Sequence, residues 1–139
     1  MKKISLMMIT MVGILIASAS YAQRGNYECV SREDDSFGEP FERFNARGYT
    51  LYEARDRAKD RCWRYYNRCI IESCRNNNSR QDELSVEAYF YGWTGQEWCD
   101  RHFGGNLGGR WRCVDVDYGR CYSNVRAGDM VTCVRARRR

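Results

Sequence analysis

From Leu51 onward the apolar positions recur in steps of three and four: Leu51, Ala54, Ala58, Cys62 and Tyr65 form one stripe, with charged residues between them. That spacing is the period of a helix with one face against a core. Its start is marked as well. Thr50 and Glu53 stand at the spacing of a capping box, in which the hydroxyl accepts from the third amide and the carboxylate reaches back to the cap. A helix from Leu51 to about Tyr66 is expected. Ala54 and Ala58 are small enough to bring it close to a sheet. Glu53 with Arg57 and Asp60 with Arg64 supply i,i+4 pairs on its outer surface.

Elsewhere the pattern is short, β-branched and aromatic, as strands require. Tyr27 to Ser31, Phe41 to Arg47 and Cys69 to Cys74 read as strands, with an acidic turn from Glu33 to the single proline, Pro40, between the first two. Asn76 to Gln81 has no apolar residue and three consecutive asparagines, so it reads as an exposed loop. Beyond it, Ser85 to Trp93, Arg110 to Asp117, Arg120 to Val125 and Met130 to Val134 are strand candidates. The stretch Gly48-Tyr-Thr-Leu-Tyr-Glu53 returns forty-four positions later as Gly92-Trp-Thr-Gly-Gln-Glu97. This second Thr-x-x-Glu predicts a short helix over Trp98 to Phe103, stopped at Gly104-Gly105. The cysteines do not follow the shift, because Cys62 falls on Asn106. What repeats is a strand, cap and helix device. The fold class is therefore α+β: a small disulfide-stapled domain of short antiparallel strands with one long and one short helix.

The N-terminus changes the setting. Lys2 and Lys3 precede an apolar run that ends in small residues, and Ser20-Tyr21-Ala22 fits the small-x-small rule for signal peptidase. Residues 1–22 read as a signal peptide of bacterial type and 23–139 as an exported domain, periplasmic or extracellular, with no membrane-spanning segment in its mature part. All eight cysteines lie there: Cys29, Cys62, Cys69, Cys74, Cys99, Cys113, Cys121 and Cys133. An even count in a small exported chain reads as a disulfide framework. Four fall before the asparagine loop and four after it, which suggests half-domains over 23–75 and 82–134. Pairing within halves cuts roughly 100 connectivities to about nine. In the first half the preferred pairing is Cys29–Cys74 with Cys62–Cys69; the second half stays open. There is no C-x-x-C pair and only one histidine, so neither a metal nor a cofactor is expected.

After removal of the leader, 21 basic side chains face 18 acidic ones, and Lys59 is the only lysine among the 21. Arginine offers a planar fork for carboxylates and phosphates and stacks on rings. A basic tail, residues 135–139, holds Arg135, Arg137, Arg138 and Arg139, and Arg110-Trp111-Arg112 interleaves charge with an aromatic. These residues can neutralise phosphates and stack on bases or sugars. The plainer account is that the aromatics fill a core and the tail is a solvated end. Catalysis would have to centre on His102, with Glu97 as base and Arg101 or Arg110 on phosphate, in the manner of a small ribonuclease. Residues five apart on a helix point about 140° apart, and Glu97 already serves the cap. Asp115-x-Asp117 lacks the remaining ligands of a calcium loop.

The run Arg47-Gly-Tyr-Thr-Leu-Tyr-Glu-Ala-Arg-Asp-Arg-Ala-Lys-Asp-Arg-Cys62, followed by Cys69-x4-Cys74, resembles the core of small exported bacterial cysteine-rich domains of uncharacterised role. The resemblance covers residues 27–75. It implies an α+β, secreted domain and brings no functional residues. The expectation from the whole chain is a non-enzymatic secreted binding module for an anionic polymer or envelope surface, such as an envelope glycan, lipopolysaccharide phosphate or nucleic acid. A ribonuclease-like hydrolase and an inhibitor of a secreted enzyme are the alternatives.

Overall fold

A computed structural model describes residues 26–34, 42–104 and 110–136. The expected signal peptide, most of the acidic turn and Arg137, Arg138 and Arg139 lie outside the described residues. Six strands form one antiparallel sheet: β1 (Tyr27–Glu33), β2 (Arg43–Gly48), β3 (Cys69–Asn76), β4 (Asp82–Glu87), β5 (Arg112–Val116) and β6 (Met130–Arg135). Across the sheet their order is β2-β1-β3-β4-β6-β5. Two helices complete the α+β domain: α1 (Leu51–Trp63), and α2 (Gly95–Trp98), which continues as a π-helical turn over Cys99–Phe103. No helix among the described residues is long and apolar enough to cross a membrane.

The order hides a repeated plan. β2 and β3 both pair antiparallel with β1, so they run parallel to each other and α1 connects them. β4 and β5 stand in the same relation about β6, with α2 between them. Each half is thus a split β-α-β unit, and the two units join edge to edge through the β3–β4 hairpin. The middle strand comes before the crossover in the first unit and after it in the second.

Side-chain alternation along β6 places the helices on opposite faces. Met130 belongs to a core with Ala54, Ala58, Ile71 and Cys74 under α1. Its neighbour Val131, and Cys133, belong to the other core, with Val86, Trp98, Trp111 and Val116 under α2. Successive strand residues point to opposite faces, so one strand serves both cores. Ala54, Ala58 and Cys62 are fully buried, as the stripe in the sequence requires. α1 ends at Trp63, three residues before the expected Tyr66, because the Cys62–Cys69 disulfide obliges the chain to return within a few residues.

Both helix starts carry their threonine caps. Thr94 makes the full box: its hydroxyl accepts from the Glu97 amide, and the Glu97 carboxylate accepts from the Thr94 amide. Thr50 accepts from the Glu53 amide, while Glu53 reaches one residue further back, to the Tyr49 amide, and pairs with Arg57. α2 begins at Gly95, earlier than the expected Trp98, directly after that cap.

The four disulfides are Cys29–Cys74, Cys62–Cys69, Cys99–Cys133 and Cys113–Cys121. All stay within one half, and the first two have the pairing expected from the sequence. Two strand expectations are corrected. The segment from Ala88 to Trp93 leaves the sheet, because Tyr89, Phe90 and Trp93 gather around the buried indole of Trp98, with ring centroids about 5 Å away. The segment from Arg120 to Val125 is a turn, tied by Cys113–Cys121, by an isolated bridge from Asn124 to Thr94 and by the Val125 amide on the Trp93 carbonyl.

The halves are locked by one buried carboxylate. Glu87 Oε1 receives Lys59 Nζ from α1 at 2.7 Å, and Oε2 accepts the Ile71 amide of β3 at 3.2 Å. The only lysine among the described residues is therefore spent inside the fold. Tyr52 adds an exposed link by donating to Asp117, whose other oxygen accepts the Met130 amide. Asp117 thus has a structural role.

Candidate functional site

Three of the arginines singled out from the sequence meet at one end of the sheet. Trp111 precedes β5 and is only 4% exposed, packed in the α2-side core. With Trp111 turned inward, Arg110 and Arg112 on either side project outward and are exposed. Neither forms an ion pair with a described carboxylate. Arg135 is the last residue of β6, not part of a free tail. Its guanidinium lies over the Trp111 ring, 4.6 Å from the centroid, and holds Asp82 at 3.1 Å. The expectation that Trp111 itself offers a stacking face is corrected: its ring is occupied by Arg135 and the core.

These groups, with Gln81, Gln96 and Tyr122, line a groove of about 500 Å³. Tyr122 is 88% exposed, on the turn fastened by the Cys113–Cys121 bridge. Gln96 builds the floor. Its Nε2 donates to the Trp111 carbonyl at 2.9 Å and its Oε1 accepts from the Cys113 amide at 3.0 Å. One side-chain amide thereby imitates a neighbouring strand along the edge of β5 and keeps that edge from pairing with another chain. The opposite edge is treated alike, since Arg57 and Arg61 of α1 donate to the Arg47 and Asn45 carbonyls of β2.

Of the hydrolase alternative, Glu97 and Arg101 stay together while His102 is directed elsewhere. Glu97 is bound at the α2 cap and lies 4.0 Å from Arg101, whose guanidinium covers the Trp93 ring. His102 turns toward the first half, where Nε2 stands 2.8 Å from the Glu72 carbonyl oxygen. A carbonyl only accepts, so Nε2 is the donor and the neutral ring leaves Nδ1 unprotonated. Burial pushes the His102 pKa down, partly opposed by that bond. Glu72 is held below the usual carboxylate range by its paired hydrogen bonds from Arg43. His102 and Glu72 border a second depression of about 460 Å³ that also takes in Glu28, Ser73 and Arg75. Among the described residues no cluster of three or more His, Cys, Asp or Glu side chains could hold a metal ion.

Arg75, Tyr122 and Gln96 did not emerge from the sequence as site residues. They come from β3, a turn and α2, and only the folded sheet brings them to one end. The one local hint was the Tyr122 position beside a disulfide cysteine, which fixes a turn and leaves the next side chain outside. No family model, no curated protein and no solved structure matches the chain.

Proposed function

We propose that this chain is a non-enzymatic binding module, exported to an oxidising compartment, which captures an anionic ligand in the groove at the end of β5 and β6. The observation that carries the reading is the convergence of Arg110, Arg112 and Arg135 with the exposed ring of Tyr122 on one groove of about 500 Å³. Two cations without a carboxylate partner in a shaped, partly aromatic recess suit anion capture, since charge-assisted hydrogen bonds from arginine are among the stronger polar contacts. Four disulfides support an oxidising setting. The likeness to small exported bacterial cysteine-rich domains belongs to the same reading.

The test is titration of the oxidised protein with heparin, a sulfated polymer, at about 50 and 200 mM salt. Binding that weakens steeply between these salts and is abolished in R110E/R112E is the expected result. Both residues are exposed and contribute to neither core, so the variant folds. An unchanged affinity in R110E/R112E, or no binding by the wild type, would overturn the assignment.

A further inference from the structure

The groove does not end at Arg135. On the far side of that side chain lies a recess of about 130 Å³ between the β3–β4 hairpin and Trp111, bordered by Arg75, Asp82 and Glu83. Arg75 in turn borders the depression that contains His102 and Glu28. Arg135 is common to the first two hollows and Arg75 to the last two. All three lie at the same end of the sheet, where β1 and β4 begin and β3 and β6 finish. From β5 across β6 and β4 to Arg75 on β3 the track crosses three strand spacings, about 14 Å at roughly 4.8 Å each. Resting on the groove reading above, we infer that the ligand is a linear anionic glycan lying across the strands, with charged groups on Arg110/Arg112 at one end and Arg75 at the other.

The sign of the lining separates a glycan from a denser polyanion. Arg75 is exposed and forms no ion pair with a described carboxylate. Between the terminal arginines, however, stand carboxylates. Asp82 holds Arg135, and Glu83 accepts from the Asn76 side-chain amide at 2.6 Å. A chain carrying a phosphate at every unit would run its charge past both. A sugar chain spaces its anions and presents hydroxyl donors, which carboxylate oxygens accept. The exposed ring of Tyr122 at the groove mouth gives an apolar face for a sugar ring.

The experiment is a titration of the oxidised full chain with size-graded hyaluronan oligosaccharides, which carry a single carboxylate per disaccharide, and with polyphosphate of matching length, comparing wild type, R75E, R75Q and R110E/R112E. Affinity of the wild type for the glycan rises with length. R75E weakens the longest oligosaccharide about tenfold and leaves the disaccharide unchanged, with R75Q in between, as loss of one charge-assisted contact predicts. R110E/R112E weakens both. If R75E binds the longest oligosaccharide like wild type, the extended track is overturned while the groove stands. If R110E/R112E also binds like wild type, the groove itself falls. Polyphosphate binding as tightly as the glycan would overturn the choice of glycan.

Discussion

In the first half of the sheet the strand between the two ends of the crossover is β1, which precedes it; in the second half it is β6, which follows it. The cysteines sit on this shared plan in a comparable way. Each half has one on the middle strand (Cys29, Cys133), one opposite it on the strand after the helix (Cys74, Cys113) and one on the helix (Cys62, Cys99). The bonds are drawn differently. Cys29 and Cys74 face each other and join, with Cα atoms 4.0 Å apart. Cys113 and Cys133 also face each other in register, yet Cys133 bonds to Cys99 on the helix and Cys113 to Cys121 on the next turn. The first half spends its long staple on the sheet and lets thirteen residues of α1 dock by packing, with only the short Cys62–Cys69 bridge at the helix end. In the second, the α-helical part of α2 is four residues long, too short to hold by packing alone, and its long staple ties it down.

The two halves should differ most when their long staples are cut. The two long-loop disulfides span 45 and 34 residues, and each constrains the unfolded chain by about 4 kcal/mol in the loop-entropy account. C29A/C74A removes a bond between strands that remain hydrogen-bonded neighbours, so the protein loses stability as one unit. C99A/C133A releases α2 and with it the core around Trp98. Trp93, Trp98 and Trp111 all belong to that core, whereas Trp63 is half exposed on α1. Tryptophan fluorescence in denaturant should therefore move well ahead of far-ultraviolet dichroism in C99A/C133A and coincide with it in C29A/C74A. Coincident transitions in both variants would show that the staples are equivalent.

Next in size is the carboxylate that makes two halves one sheet. Glu87→Ala leaves the Lys59 ammonium buried without its counter-charge and the Ile71 amide without an acceptor. Breaking a buried ion pair from one side costs about 3 kcal/mol or more. K59M/E87L removes both charges and should recover much of the loss, because a buried pair is often replaceable by apolar residues. Recovery stays incomplete, since Ile71 still lacks its acceptor. Thermal denaturation of the three proteins measures each step, and complete recovery would mean that the Ile71 bond contributes nothing.

The parts that local chemistry dictates were legible in the sequence. The α1 stripe, both threonine caps and the first-half pairing of Cys62 with the nearby Cys69 depend on neighbours a few residues apart. The strand reading of Ser85 to Trp93 failed at its aromatic end, because β-propensity measures fit to a half-buried surface and the Trp98 core uses the same side chains equally well. Arg120 to Val125 failed because an eight-residue disulfide loop overrides propensity. The groove was half legible. Arg110, Arg112 and Arg135 carried a signal of composition, yet the sequence set Arg135 in a tail and left Trp111 between a stacking face and the core. Burial of Trp111 follows from a long-range packing decision that no local pattern records. Arg75 was beyond reach, for it meets Arg135 only once β4 is inserted between β3 and β6.

The smallest effect returns to the two threonines with which the halves begin their helices. Removing an N-cap hydroxyl costs about 1 kcal/mol. Thr94→Ala should exceed Thr50→Ala. The Thr94 box is reciprocal, closing one amide at each end, whereas Glu53 already satisfies the Tyr49 amide and an arginine and does not depend on the Thr50 side chain for its position. α1 also has more than three turns to absorb a frayed first one, while α2 starts beneath the Trp98 core, with the Gln96 amide bound to the Cys121 carbonyl. Fraying there would loosen Gln96, and with it the cover on the β5 edge and the floor of the groove. T94A should thus lower heparin affinity along with thermal stability, and T50A should lower stability alone. Equal binding by the two variants would separate the groove from the cap and leave Gln96 held by β5 alone.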